Sequence, residues 1–259
     1  MTLFATKSLT KQFGGVSAVS SVNFSIPRGN IIGLIGPNGA GKTTFFNVIS
    51  GLLPPTSGEL FFDGRNITGL RPYQITRLGM ARTFQNIRLF SGMTTFENVF
   101  VARHVRTKAG ILGALFGGKL ARREDSESLS KINEILLDLE LLDSAAIAAD
   151  TLSYGQQRRL EIARALATEP KLLLLDEPSA GMNTSETEEL MEMIVRIRAR
   201  GVTVLLIEHD MNLVMGICEK IVVLDYGKKI AEGTPAEIRN NEQVIEAYLG
   251  REQDYEDLG

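Results

Sequence analysis

The sequence predicts an α/β protein with a mainly parallel sheet and a helical segment inserted between its strands. Two observations carry that prediction. The runs Ile31–Ile35, Leu172–Leu175 and Val202–Ile207 are apolar almost throughout, without the in/out alternation of a half-exposed strand. Such runs suit a sheet covered on both faces by helices. From about residue 94 to Asp150, by contrast, no convincing strand appears, and Leu129, Ile132, Ile135, Leu136 and Leu139 recur at helical spacing as a core-facing stripe. A helical insert inside a strand-containing core is the expectation, and 259 residues suit one large domain or a core with a subdomain.

The elements follow in order. Leu3–Phe13 and Val22–Ile26 read as strands, the second because Val22, Phe24 and Ile26 alternate with polar residues. Pro27–Asn30 turns the chain into the buried run Ile31–Ile35, which a glycine-rich loop joins to a helix ending near Gly51. Glu59–Asp63 is another strand. Pro72–Leu78 is a short helix, with proline near its first position and Gly79 past its end. Ala81–Gln85 is a short strand, and Thr94 with Glu97 has the spacing of a capping box. Arg122–Asp125 is a solvated face. A helix opens near Ser153 and runs to about Thr168, where Glu169-Pro170 breaks it. Asn183 or Thr184 caps a helix reaching Arg200, with Gly201 as its stop. Ile221–Asp225 and Lys229–Glu232 form a hairpin around Tyr226-Gly227-Lys228, Thr234 and Glu237 make a second capping box, and a polar tail begins near Arg251.

Composition narrows the class. A net charge of −3 without a basic run gives no sign of a nucleic-acid surface. Cys218 is the single cysteine, so an internal disulfide is excluded, and its apolar surroundings suit packing rather than nucleophilic chemistry. No signal peptide is visible. Ile111–Phe116, the most membrane-like stretch, is far shorter than the roughly 20 residues a spanning helix needs. Membrane association is therefore expected to run through a partner.

Gly36–Thr43, GPNGAGKT, matches G-x-x-x-x-G-K-[ST] without a gap, between a strand and a helix. Gly36, Gly39 and Gly41, with Pro37, Asn38 and Ala40 between them, let the backbone turn tightly and aim N–H groups inward at phosphate oxygens. The following helix adds its positive end, Lys42 an ammonium for the outer phosphates, and Thr43, beside Thr44, a hydroxyl for Mg²⁺. Nucleoside triphosphate binding follows. Two further apolar strands end in chemistry-bearing residues: Asp176, suited to Mg²⁺, with Glu177, able to accept a proton from attacking water; and His209, able to donate to the γ-phosphate or orient Glu177. Alternation along the strand would send the two carboxylates to different faces. Ser153–Gln156 offers a hydroxyl, a close backbone approach at Gly155 and a helix start, a second γ-phosphate site. One chain does not need two; a head-to-tail dimer does. Phe13 suits a plain strand-end aromatic and a base-stacking ring equally, and Gln85 alone reads as a solvated glutamine.

Together these motifs resemble the ATP-binding subunits of ABC transporters along nearly the whole chain. Gly36–Thr43 is similar to Walker A, Leu172–Asp176 to Walker B, Glu177 to the catalytic glutamate, Gln85 to the Q-loop, Leu152–Gln156 to the signature LSGGQ, and His209 to the switch histidine. The resemblance implies a P-loop NTPase core (1–93 and 156–250), an N-terminal antiparallel β-subdomain, a helical subdomain carrying the signature (94–155) and a tail (251–259). It implies ATP and Mg²⁺, with Thr43, Gln85 and Asp176 around the metal; Glu177, His209 and Gln85 in catalysis; and Phe13, Ser153, Gly155 and Gln156 on nucleotide. It also implies transmembrane permease subunits docked on the helical insert, a second ATPase subunit (different or identical), a solute-binding protein indirectly, and a peripheral place on the cytoplasmic face of the inner membrane. Tyr154 replaces the first signature glycine, and Ser179–Asn183 replaces the SALD-type loop. These variants, the insert from Arg103 and the ending Glu246–Gly250 are similar to the longer ATPase subunit of branched-chain amino-acid importers, urea and short-amide importers sharing the features. A non-transport ABC ATPase of translation or DNA repair usually carries two cassettes or a long coiled-coil insertion. Asp176, Glu177 and His209 speak against a non-hydrolysing cassette, and Ser153–Gln156 against a P-loop kinase.

Overall fold

The computed structural model describes residues 1–106 and 119–256, with side chains for 1–106 and 126–249. The chain divides into two compact units, Met1–Ile75 with Leu174–Gly259, and Thr76–Leu173.

The first unit contains two sheets. β1 (Thr2–Phe13), β2 (Val16–Pro27), β4 (Ser57–Phe62) and β5 (Arg65–Asn66) form an antiparallel sheet in the order β2-β1-β4-β5. β3 (Ile31–Ile35) is buried along its whole length, and parallel strands flank it on both sides. They are β8 (Thr203–Ile207), in register Ile31↔Val204 to Leu34↔Ile207, and β9 (Lys220–Asp225), in register Ile32↔Lys220 to Ile35↔Val223. β10 (Lys228–Gly233) closes one side as the antiparallel partner of β9. The turn between them holds Tyr226 and Gly227 at φ 43° and 75°, as a two-residue type I′ hairpin requires. β7 (Leu172–Asp176) borders β8 on the other side, its last three residues belonging to this unit.

The helix that leaves the glycine loop, α1 (Lys42–Ile49), lies against the antiparallel sheet through edge-on rings. Phe24 meets Phe4 with centroids 6.4 Å apart and Phe45 at 5.4 Å. The sheet thereby anchors the helix that carries Lys42 and Thr43. Cys218 packs beneath β3, where a Cβ on Gly33 would meet its sulfur at 3.1 Å. Burial, with the charges of Glu219 and Glu208, pushes its thiol up to about 12, which makes it a packing residue as expected.

After the short helix α2 (Pro72–Leu78), the second unit contains β6 (Met80–Arg82) and three helices packed on one another: α3 (Thr95–Arg103), α4 (Lys119–Asp138) and α5 (Tyr154–Ala167). Thr94 and Glu97 form both bonds of the expected capping box; the amide and hydroxyl donors of Thr94 hold the Glu97 carboxyl below its usual range. By contacts this unit starts before, and ends after, the expected insert 94–155, because β6, α5 and the approach to β7 pack with it.

Three local expectations are corrected. Leu129 is 44% exposed while Ser128 is 5%; the buried stripe runs Ser128, Ile132, Ile135, Leu136, Leu139, at i, i+4, i+7, i+8 and i+11. The strand expected over Ala81–Gln85 stops at Arg82, because side chains rather than a neighbouring strand take the polar backbone of Phe84 and Gln85. The helix Glu242–Glu256 continues through the expected polar tail. Extending an existing helix adds a hydrogen bond per residue without a new nucleus, and Arg251–Glu256 holds no proline. The Ile111–Phe116 segment, most of the insert that starts at Arg103, and the side chains of Arg122–Asp125 lie outside the described residues.

Candidate functional site

At the end of β3 the chain enters the left-handed region at Gly36, Gly39 and Gly41 (φ 147°, 76° and 98°). A Cβ on Gly36 would overlap the Leu224 carbonyl, and one on Gly41 the Ala18 carbonyl, so both positions demand glycine for space as well as conformation. Ala40 N–H donates to the Pro37 carbonyl at 3.1 Å and Phe45 N–H to the Gly41 carbonyl at 2.8 Å, which folds Pro37–Gly41 into a closed loop on the helix start. No side chain caps α1. The Lys42 ammonium is buried and donates to the carbonyls of Gly36 (2.5 Å) and Pro37 (3.0 Å), which hold it over the loop. Thr43 is exposed and Thr44 partly so. The arrangement suits an anion with several oxygens: backbone donors, a helix N-terminus, a buried cation and a hydroxyl. Phe13 ends β1 half exposed, with the Lys11 ammonium 5.1 Å from its ring centre.

Asp176 ends β7, nearly buried. Glu177 follows at φ 47°, so a left-handed turn, and not strand alternation, separates the directions of the two carboxylates. Its amide donates to the Ile207 carbonyl at 3.0 Å, and its Oε1 lies 2.8 Å from His209 Nε2. The pair expected at two strand ends is thus in hydrogen-bonding contact. The Glu177 side chain is largely shielded and that of His209 about half exposed. Ala180 N–H then bonds the Glu177 carbonyl at 3.2 Å, and Asn183 caps α6 (Thr184–Ala199) through a capping box with Glu186. No cluster of three or more His, Cys, Asp or Glu suited to a metal occurs among the described residues. Mg²⁺, which keeps several waters and takes one or two carboxylates plus substrate phosphates, needs none, and the Thr43 hydroxyl and Asp176 carboxylate are hard oxygen donors of the right kind.

In the second unit Ser153 caps α5. Its hydroxyl oxygen accepts from Gln156 N–H at 3.3 Å, and Gln156 Oε1 accepts from Ser153 N–H at 3.1 Å. This S-x-x-Q capping box was readable from spacing alone. As acceptor in the cap, Ser153 keeps its hydroxyl proton available to donate. Tyr154 lies along its own helix, half exposed, with its hydroxyl 3.4 Å from Arg158 Nη2 and its ring centre 6.0 Å from the guanidinium carbon.

Arg158 is a residue the motif reading missed. It is fully buried and donates to the Phe84 carbonyl (2.9 Å), the Gln85 carbonyl (3.1 Å) and Glu161 Oε2 (2.9 Å), while Glu161 Oε1 accepts from Phe84 N–H at 3.0 Å. Burial raises the Glu161 carboxyl, with the Phe84 amide and the Arg158 charge opposing. The signature helix therefore grips the main chain at Gln85 and leaves the Gln85 side chain exposed. An Arg-x-x-Glu pair on a helix gives no such signal in sequence, since it usually marks a solvated face.

No helix among the described residues is long and apolar enough to cross a membrane. Comparison with known proteins gives the family. The ABC transporter family model matches residues 19–180, and a model of the branched-chain amino acid ATP-binding cassette transporter matches 228–254. The high-affinity branched-chain amino acid transport ATP-binding protein BraF of Pseudomonas aeruginosa is 48% identical over 243 residues, covering 93% of this chain and 95% of BraF. Its counterpart LivG of Escherichia coli is 47% identical over 249 residues, covering 96% and 98%. The ADP conformation of MJ1267, an ATP-binding cassette of an ABC transporter, superposes with a TM-score of 0.84 at 33% identity, covering 96% of this chain and 99% of that one. The family model over residues 19–180 and the near-full-length relatives, on a chain with a phosphate loop at the end of a buried parallel strand, place it in the ABC transporter family, as an ATP-hydrolysing cassette.

Proposed function

We propose that this chain is the ATPase subunit of an importer for branched-chain amino acids, peripheral on the cytoplasmic face of the inner membrane through permease subunits. The observation that carries the solute class is the near-full-length identity to BraF and LivG, extended by the match at 228–254.

Phe13 stacks on the base. The glycine-loop amides and Lys42 hold the outer phosphates, and Lys42, already over the loop on two carbonyls, needs only a short shift to reach them. Thr43 and Asp176 would hold Mg²⁺, which would supply charge neutralisation at the phosphates. Glu177 accepts the proton of the attacking water, and His209, 2.8 Å away, orients it and can donate to the γ-phosphate. Ser153, Gly155 and Gln156 act on the nucleotide of an opposing ATPase subunit, in a head-to-tail pair; a related cassette, MJ0796, crystallised as a dimer bound to ADP and Pi. Residues 1–93 and 156–250 serve as the nucleotide core, with 94–155 as the docking subdomain.

Membrane vesicles containing the chain with its co-purifying permease test this reading. ATP-driven uptake of labelled leucine, isoleucine or valine is expected, and uptake of urea or short amides alone would overturn the solute class. Substitutions at the exposed Leu137, Leu142 and Ile147 should lower transport while basal hydrolysis stays near wild type. Transport surviving all three would move the docking surface elsewhere.

A further inference from the structure

Glu208 has no part in the chemistry described so far, yet it is a carboxylate only 3% exposed at the centre of the hydrolytic loops. A carboxylate taken out of water needs donors that replace its hydration. Glu208 finds them on two different loops. Its Oε1 accepts from Ser179 N–H at 2.7 Å, and its Oε2 from His209 N–H at 3.0 Å.

Those loops carry the reactive pair. Ser179 lies two residues after Glu177, and His209 follows Glu208 directly. Residues 207–209 therefore grip the Glu177–Ser179 turn at three points: the Ile207 carbonyl at the Glu177 amide (3.0 Å), Glu208 Oε1 at the Ser179 amide, and His209 Nε2 at the Glu177 carboxylate (2.8 Å). Pro178, between the first two, has no N–H to contribute. Glu177 itself stands at φ 47°, a conformation that a non-glycine residue keeps only where its surroundings hold it. Without Glu208 the amides of Ser179 and His209 would lose their charged acceptor, and nothing would tie the start of the Ser179–Asn183 loop to the histidine turn by that route.

We propose that Glu208 is a positioning residue for ATP hydrolysis: its buried carboxylate clamps the Glu177–Ser179 turn to the His209 turn and so holds the Glu177–His209 pair in register. The inference rests on the reading of Glu177 as the base and His209 as its partner. It implies that the Ser179–Asn183 loop and the histidine turn move together, with Glu208 carrying the link at Ser179.

The test uses the full-length chain in its assembled transporter with MgATP, measuring kcat, KM and melting temperature for Glu208→Ala, Glu208→Gln, Glu177→Gln and the double variant Glu177→Gln/Glu208→Ala. Misplacing a catalytic group by about 1 Å can cost up to about 10²-fold, so Glu208→Ala should lower kcat at least about tenfold with KM for ATP within about twofold. Glu208→Gln keeps one carbonyl oxygen for the Ser179 amide and should recover part of the loss. The double variant should be no slower than Glu177→Gln alone, because a clamp on an absent base has nothing left to position. A wild-type kcat in both Glu208 variants, or a loss that multiplies with that of Glu177→Gln, would overturn the clamp. If the alanine variant does not fold, Glu208→Gln decides, since it preserves size: lowered kcat at unchanged KM and melting temperature supports the clamp, and wild-type kcat overturns it. Near-wild-type turnover of Glu177→Gln would instead refute the base assignment, a separate failure.

Discussion

Two helix starts in this protein face the same problem, unpaired backbone amides, and solve it differently. At α1 no side chain caps the helix, the preceding Gly41 is left-handed, and the amides stand beside a buried lysine. At α5 the cap is complete, Ser153 and Gln156 each bonding the other's amide. An uncapped helix N-terminus leaves its donors to a ligand, whereas a closed capping box spends two of them internally. The first is therefore built to hold phosphate by its backbone. The second is a stable helix start that offers a hydroxyl proton and, at Gly155, an approach without a Cβ. Under the proposed function, the difference assigns affinity for nucleotide to the phosphate loop of this chain and a contribution to turnover to the signature.

The largest effect that would sharpen this contrast is at Lys42. Charge-assisted hydrogen bonds are worth about 1.5–3 kcal/mol each, so Lys42→Ala should weaken ATP binding by roughly 10–10²-fold, read by equilibrium titration of the purified chain. Unchanged affinity would break the comparison at its stronger end. Gly155→Asp comes next: a carboxylate beside the γ-phosphate should remove most ATPase activity of the assembled transporter while this chain's own affinity for ATP is preserved. Both ATPase sites must be intact in that assay, because in the proposed head-to-tail pair the signature faces the nucleotide of the opposing subunit.

Tyr154→Gly should be far milder. The tyrosine lies along its own helix toward Arg158, through a long 3.4 Å contact, so maximal ATPase should stay within about tenfold, no more than ~1.4 kcal/mol in barrier. Damage equal to that of Gly155→Asp would put Tyr154 in the active site. Smallest in stability is Ser153→Ala, where loss of the cap should cost about 1 kcal/mol. For a chain of this size that is a fall of about 2–4 °C in melting temperature, and a loss of turnover beyond it would be the share of the hydroxyl proton.

The fold was legible in sequence where one interaction dominates. Buried parallel strands read as unbroken apolar runs, and glycine-loop spacing leaves little freedom. Thr94–Glu97 and Thr234–Glu237 formed the expected capping boxes because the two partners lie within one turn. What escaped depends on residues far apart in sequence. The Arg158 and Glu161 grip on Phe84–Gln85 spans more than 70 positions, which is why a strand was expected to run through to Gln85. Leu129 and Ser128 exchanged places because adjacent helix positions differ by about 100° and only the packed neighbours decide which is covered. Glu177 was placed beside Asp176 correctly, but its direction comes from a left-handed turn held by residues 207–209, which alternation along a strand does not describe.

The central claim is that binding and hydrolysis are separate tasks, the first done by the phosphate loop and the second by the Glu177–His209 pair. Glu177→Gln tests it most directly, with ATP affinity and phosphate release measured on the same assembled transporter. The account predicts affinity close to wild type and turnover lower by roughly 10²–10⁴, the usual contribution of a general base. Hydrolysis by Glu177→Gln at near the wild-type rate would contradict it.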